Sequence, residues 1–287
     1  LRVFLPIPAG DNTMVDPSRI DYSHLDRPEI IRFLFHPRGD YYGVETPPNA
    51  TDVLIPVEDR VEIGGRFHVA RKTGPNLLFF HGNGEIVADY DEMGPLYNRL
   101  GINFLAVDYR GYGRSTGSPT ITAMMRDCHA IFEFSLKWLE DKGCTGPVIA
   151  MGRSLGSASA LELASQHKNR LNGLIIESGF AYAGPLLRLL GINPVAIGFK
   201  EEKGFRNLAK IKTWDKPALI IHAEFDQIIP FSEGQALYQA CPSSEKSLLK
   251  IPFADHNDLF ARGLREYMRG VEALAGKAGA ATSSISR

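Results

Sequence analysis

The chain reads as an α/β protein with a mostly parallel central sheet, helices on both faces and a short helical insertion near its end. Three observations predict this. From Asn76 onward, strand patterns at 76–81, 103–108, 147–152 and 173–178 alternate with helical patterns at 89–100, 121–142 and 154–167, the order of a βα-wound sheet. The strands are short, nearly continuous apolar runs such as Leu77-Leu78-Phe79-Phe80, as expected where a sheet is covered on both faces. Small-residue turns follow the strand ends, at His81-Gly82-Asn83-Gly84 and at Gly152-Arg153-Ser154-Leu155-Gly156. With 287 residues, 44% of them hydrophobic, the chain can bury one large core, so a single main domain is expected.

Taken in order, residues 1–50 are rich in Pro, Asp and Arg and are expected to wrap the domain as an extension, with Ile31-Arg32-Phe33-Leu34-Phe35 as its best short strand. The main domain is expected over 51–272. It opens on Val53–Val57 and Arg66–Ala70 around Gly64-Gly65, which reads as an antiparallel hairpin leading into the sheet. The loop Tyr109–Gly117 follows a strand end and contains three glycines, which tight turns suffice to explain. Residues 179–216, between the strand ending at Ser178 and the one starting at Pro217, are too long for a plain connection and read as a lid insertion. Their apolar run, from Pro185 to Phe199, either forms an acyl pocket above Ser154 or closes the core over the sheet. The Ala-, Gly- and Ser-rich stretch 273–287 reads as a flexible tail.

Chemistry concentrates at the strand ends. Val148-Ile149-Ala150 runs directly into Gly152-x-Ser154-x-Gly156 and then into a helical pattern, a strand–turn–helix context that lifts a serine hydroxyl clear of the sheet. Ser154 is therefore the candidate nucleophile. A serine hydroxyl needs a base, a carboxylate to orient that base and donors for an oxyanion. Pro217–Ala223 is an apolar strand whose end carries Asp226, and the loop after the strand Ser247–Ile251 carries His256. The order Ser, Asp, His is that expected of groups hanging from successive carboxyl-end loops of a parallel sheet. The oxyanion donors are assigned to the backbone N–H groups of Leu155, from the geometry of the turn, and Asn83, from the glycine turn after Phe80, with a shift by one residue to Gly84 as the alternative for the second. His81 is read as a loop-holding residue rather than the base. Glu177, which ends the strand before the insertion, is the reserve acid, with anchoring of the lid loop as its other role.

His81-Gly82-Asn83-Gly84, Asp108-Tyr109-Arg110-Gly111-Tyr112-Gly113-Arg114-Ser115, the Gly152–Gly156 turn, His222–Asp226 and Asp255-His256-Asn257 together resemble the serine α/β-hydrolase superfamily. Within it they are most similar to the Bem46-like and ABHD-type small-capped hydrolases, a branch bordering on the S9 and S33 peptidases. The resemblance covers about residues 50–270. It implies the α/β-hydrolase fold, with Ser154, Asp226 and His256 as nucleophile, acid and base. One departure is Asp255, where relatives often carry glycine; a carboxylate there could raise the basicity of His256 or compete with Asp226.

The reaction expected is cleavage of a small ester or acylated substrate, as a carboxylic ester or thioester, through an acyl-enzyme on Ser154. Protein groups fill every role, so no cofactor and no metal is expected. The alternatives are a serine peptidase of S9 or S33 type, which shares the same motifs, and a noncatalytic binding scaffold on the same fold. A net charge of −1, with 32 basic and 33 acidic residues scattered along the chain, supplies no footprint for nucleic acid. Cys128, Cys144 and Cys241 form no spaced set and read as free thiols of a reducing compartment. No run of ~18 apolar residues is present, so no membrane span is expected and a cytoplasmic location is. The chain begins at Leu1 rather than Met, which leaves an upstream targeting or anchor segment open.

Overall fold

A computed structural model of the protein describes residues 16–40 and 45–285. The expected N-terminal extension therefore lies partly outside the described residues, at 1–15 and 41–44, as does the end of the tail at 286–287. The elements in chain order are α1 (Pro28–Leu34), β1 (Ala50–Glu58), β2 (Val61–His68), β3 (Asn76–Phe80), α2 (Met93–Arg99), β4 (Asn103–Val107), α3 (Ile121–Asp141) and β5 (Val148–Arg153). They continue with α4 (Ser157–Gln166), β6 (Gly173–Glu177), α5 (Ala183–Leu189), α6 (Asn207–Ile211), β7 (Ala218–Ala223), α7 (Phe231–Ala240), β8 (Lys246–Ile251) and α8 (Leu259–Ile285).

The strands form one eight-stranded sheet in the order β1-β2-β4-β3-β5-β6-β7-β8. β1 and β2 pair antiparallel, as do β2 and β4, and from β4 to β8 all neighbours are parallel. This is the α/β-hydrolase fold. Because side chains alternate across a strand, each apolar run feeds two cores. Leu78 and Phe80 join Met125, Phe132, Leu161 and Trp214 under one face, while Leu77 and Phe79 join Tyr97, Phe104, Tyr267 and Leu274 under the other. The register aligns the strand tips that matter for the site: Phe80 lies beside Gly152, Arg153 beside Glu177, and Glu177 beside Ile221.

Several local expectations change. Residues 31–35 do not form a strand; Pro28 opens α1, which buries Ile30 and Leu34 one turn apart. The first hairpin turns at Asp59-Arg60, with Arg60 at φ +60°, and not at Gly64-Gly65. Those glycines sit inside β2, where a Cβ on Gly65 would press on Val53 and on the Ala106 carbonyl oxygen of the neighbouring strand. They serve close strand packing rather than a turn. The stretch after 273 is not a flexible tail through most of its length. It continues α8 to Ile285, and Leu274, Ala275 and Ala278 are buried against the sheet, a stripe that Ala- and Gly-rich composition concealed. Residues 179–216 carry α5 and α6 between β6 and β7.

Candidate active site

Arg153 ends β5 in extended conformation and Ser154 follows at φ +50°, a left-handed backbone that a non-glycine residue adopts at a cost of about 1–2 kcal/mol. The flanking glycines permit this turn. A Cβ on Gly152 would collide with the Gly156 carbonyl, and one on Gly156 would collide with the carbonyl oxygens of Phe80 and His81. The turn is thus pressed onto the end of β3, next to the His81–Gly84 loop. α4 starts three residues after Ser154, with the Ser157 hydroxyl donating to the Ser154 carbonyl at 2.6 Å.

The structure brings Ser154, His256 and Asp226 together. His256 Nε2 lies 3.0 Å from Ser154 Oγ, and His256 Nδ1 lies 2.7 Å from Asp226 Oδ2. The other oxygen of Asp226 accepts the Ile228 and Ile229 N–H groups at 3.0 and 2.7 Å, so the acid is held by its own turn. His222, fully buried beneath, sits 2.7 Å from the Ile229 carbonyl and 3.5 Å from Asp226 Oδ2. Burial pushes the Asp226 carboxyl up, but the His256 hydrogen bond and charge and the Ile229 N–H outweigh it and hold its pKa below the ordinary value. The carboxylate therefore stays ionised beside the imidazole.

Of the two residues expected to supply oxyanion donors, Leu155 follows Ser154 directly and Asn83 lies in the loop whose start, at the His81 carbonyl, abuts Gly156. Leu155 lies in the first turn after Ser154, where N–H groups lack helical acceptors. The Asn83 backbone N–H has no hydrogen-bond acceptor among the described residues. The Asn83 side chain pins the loop instead, its Oδ1 accepting from the His36 N–H at 2.8 Å and from the Tyr112 hydroxyl at 2.7 Å. His81 is fully buried, with its ring nitrogens 2.7 Å from the Gly82 carbonyl and 3.2 Å from Asp108 Oδ1, and it does not meet Ser154.

Glu177 and Asp255 are both placed away from the imidazole ring. Glu177 binds Arg153 Nη1 at 2.9 Å and accepts the Tyr267 hydroxyl at 2.6 Å. Asp255 uses its carboxylate on the Asn257 and Asp258 N–H groups at 2.8 and 3.0 Å, just before α8, and so does not compete with Asp226.

Sequence reasoning missed the buried ion network under this site. Arg153 also reaches Glu85 Oε1 at 2.8 Å, the His256 carbonyl at 3.0 Å and Asn257 Oδ1 at 3.4 Å. A signal was present: an arginine at the tip of an apolar central strand cannot stay unpaired, and Glu85 and Glu177 lie at the same edge of the sheet. Burial pushes the Glu85 carboxyl up, yet Arg153 and the Tyr90 hydroxyl bring it down to about 2.

The chain has the α/β-hydrolase fold, and its sequence is similar to proteins of the α/β-hydrolase superfamily. Its particular likeness is to Bem46-like and ABHD-type proteins. Protein bem46 of Schizosaccharomyces pombe is 27% identical over 242 residues, 77% of either chain. Human alpha/beta hydrolase domain-containing protein 17B is 30% identical over 197 residues, covering 64% of this chain and 60% of that protein. Residues 72–197 match the family Hydrolase_4, described as serine aminopeptidase, S33. Among solved structures, the Pyrococcus furiosus esterase Pf2001 superposes with a TM-score of 0.63 at 21% identity, covering 78% of this chain and 91% of that one. No helix among the described residues is long and apolar enough to cross a membrane.

Proposed function

We propose that the protein is a serine hydrolase that cleaves carboxylic esters or thioesters through an acyl-enzyme on Ser154. The observation that carries this reading is the unbroken line from Asp226 through His256 to Ser154 at 2.7 and 3.0 Å, aimed from a strained strand–helix turn. His256 takes the Ser154 proton as the hydroxyl attacks the substrate carbonyl. The Leu155 and Asn83 N–H groups hold the oxyanion, and His256 returns the proton to the departing alcohol or thiol. The same imidazole then activates water, which releases the acid and frees Ser154. Asp226 keeps the ring oriented and stabilises its protonated form.

A cavity of about 310 Å³ beside the acid's turn, lined by Phe180, Tyr182, Leu186, Leu189, Ile228 and Ile229 among others, supplies an apolar seat for the acyl part. The match to the S33 aminopeptidase family favours an amide-cleaving alternative. Such an enzyme needs a free carboxylate to receive a peptide's terminal ammonium. The acid lining this cavity, Glu233, accepts the Ala181 and Tyr182 N–H groups at 2.8 and 2.9 Å, both on Oε2, so Oε1 is left as an acceptor and the relative turnover of esters and nitroanilides decides between the two readings.

The test pairs a fluorophosphonate probe with turnover of p-nitrophenyl esters of increasing chain length and of aminoacyl nitroanilides. The expected result is labelling of native protein that disappears in Ser154→Ala, ester turnover reduced at least 10³-fold in that variant, and nitroanilides poorly cleaved. Ser154→Ala protein keeping more than a tenth of the native turnover would remove Ser154 from the mechanism. Nitroanilides cleaved faster than esters would transfer the protein to the peptidases.

A further inference from the structure

We propose that Arg153, the residue between the elbow glycine and the nucleophile, is a positioning residue that clamps the oxyanion loop and the base loop to one another beneath Ser154. The proposal rests on the serine-hydrolase reading and concerns how its parts are kept in register.

The path is continuous in hydrogen bonds. On one side, Glu85 accepts the Gly82 N–H at 2.7 Å and the Tyr90 hydroxyl at 2.6 Å through Oε2, and Arg153 Nε at 2.8 Å through Oε1. Gly82 directly precedes Asn83, whose N–H is an assigned oxyanion donor. On the other side, Arg153 Nη2 donates to the main-chain carbonyl of His256 itself at 3.0 Å and approaches Asn257 Oδ1 at 3.4 Å. Between the two, Arg153 Nη1 binds Glu177, its direct neighbour in the sheet register, and Glu177 is braced by the Tyr267 hydroxyl. One guanidinium therefore touches the loop of the oxyanion donor, the strand beside the nucleophile and the backbone of the base, while its own main chain leads into Ser154.

Only an arginine can do this. Its planar fork directs three nitrogens along fixed, divergent lines, whereas a lysine ammonium at one point cannot reach the three elements together. The Arg153 side chain is only 8% exposed, and a buried ion cluster adds little net stability, because removing its charges from water costs about as much as their attraction returns. What the cluster supplies is geometry. The base loop needs such an anchor, since it passes through Phe253 at φ +59° before reaching His256. A displacement of about 1 Å between oxyanion donors and base is enough to slow an oriented reaction on the order of 10²-fold.

The experiment compares native protein, Arg153→Lys, Glu85→Gln and the double variant on p-nitrophenyl butyrate, with thermal unfolding measured in parallel. Arg153→Lys keeps the buried positive charge, so the expected result is a folded protein with kcat about 10- to 100-fold lower and KM within about threefold of native. Because both residues act through one path, the double variant should fall to about the level of Arg153→Lys alone and not to the product of the two losses. A folded Arg153→Lys protein with kcat within threefold of native, or multiplicative losses in the double variant, overturns the clamp. Should Arg153→Lys not fold, Tyr90→Phe, which removes one outer donor to Glu85, is expected to lower kcat two- to tenfold with KM unchanged, and unaltered kcat there overturns the proposal. Fluorophosphonate labelling separates the two levels of inference. Labelling lost in Ser154→Ala together with native kcat in Arg153→Lys overturns the clamp alone, whereas full turnover in Ser154→Ala overturns both.

Discussion

Two buried clusters of charged groups in this molecule are built from similar parts and are put to different uses. At the carboxyl end of the sheet, Arg153 lies between Glu85 and Glu177; Glu85 holds the loop of the proposed oxyanion donor Asn83 and Arg153 holds the loop of the proposed base His256. Between α3, α4 and α6, Glu162 pairs with Lys210 at 2.7 Å and lies 3.4 Å from His129, whose other ring nitrogen meets His167 at 2.8 Å. That second cluster touches none of the loops carrying Ser154, Asp226 or His256. Its partners come from helices packed over the core, and its charges bear on stability. Burial of polar groups is thus no sign of function by itself; what distinguishes the clusters is which backbone each one grips.

The largest expected effect falls on the edge of the sheet. Asp226→Asn should lower kcat roughly 10⁴-fold in folded protein, because the amide no longer fixes the imidazole tautomer or stabilises its protonated form. Steady-state turnover of a p-nitrophenyl ester measures it. A smaller effect separates the acid from the clamp: Glu177→Gln should cost less than tenfold, since a glutamine carbonyl still accepts from Arg153. If Glu177→Gln proved the more damaging of the two, Glu177 would replace Asp226 as the acid.

The smallest effect on rate, and the clearest on stability, belongs to the helical cluster. Burial, with the neighbouring His129 ring, pushes His167 down to about 4 from an ordinary value near 6.5. The 2.8 Å contact between the two rings requires one nitrogen to donate and the other to accept, so a second proton breaks it. The sign follows: between those values the unfolded chain binds a proton that the folded protein refuses. Stability is therefore full above about pH 6.5 and falls as the pH drops towards 4, by on the order of 2 kcal/mol. His167→Gln should flatten that acid dependence in denaturant titrations at pH 7, 5.5 and 4.5 while leaving kcat within about twofold of native. An unchanged pH slope would mean that His167 is not the group responsible, and a large loss of kcat would show the two clusters to be coupled.

What the sequence determined alone was whatever is local or periodic. Apolar runs of four to six residues alternating with helical patterns specify a covered parallel sheet, because only that arrangement buries both faces of each strand. The glycines around Ser154 and the positions of Asp226 and His256 after strands were legible for a related reason: a parallel sheet collects its carboxyl-end loops on one side, so order along the chain becomes adjacency in space. Tertiary structure decided the rest. Gly64-Gly65 resembled a turn and proved to be a site of close strand packing, since a glycine's sequence context does not say whether it is needed for its φ or for its missing side chain. Ile31–Phe35 carried strand-forming residues yet folded as part of a helix, because the partner for Ile30 and Leu34 is a surface contributed by distant segments. The Arg153 network was the least legible feature of all. Its members lie 24 and 68 residues from Arg153, and only the sheet register and the turn after β3 bring their charges to one largely buried point.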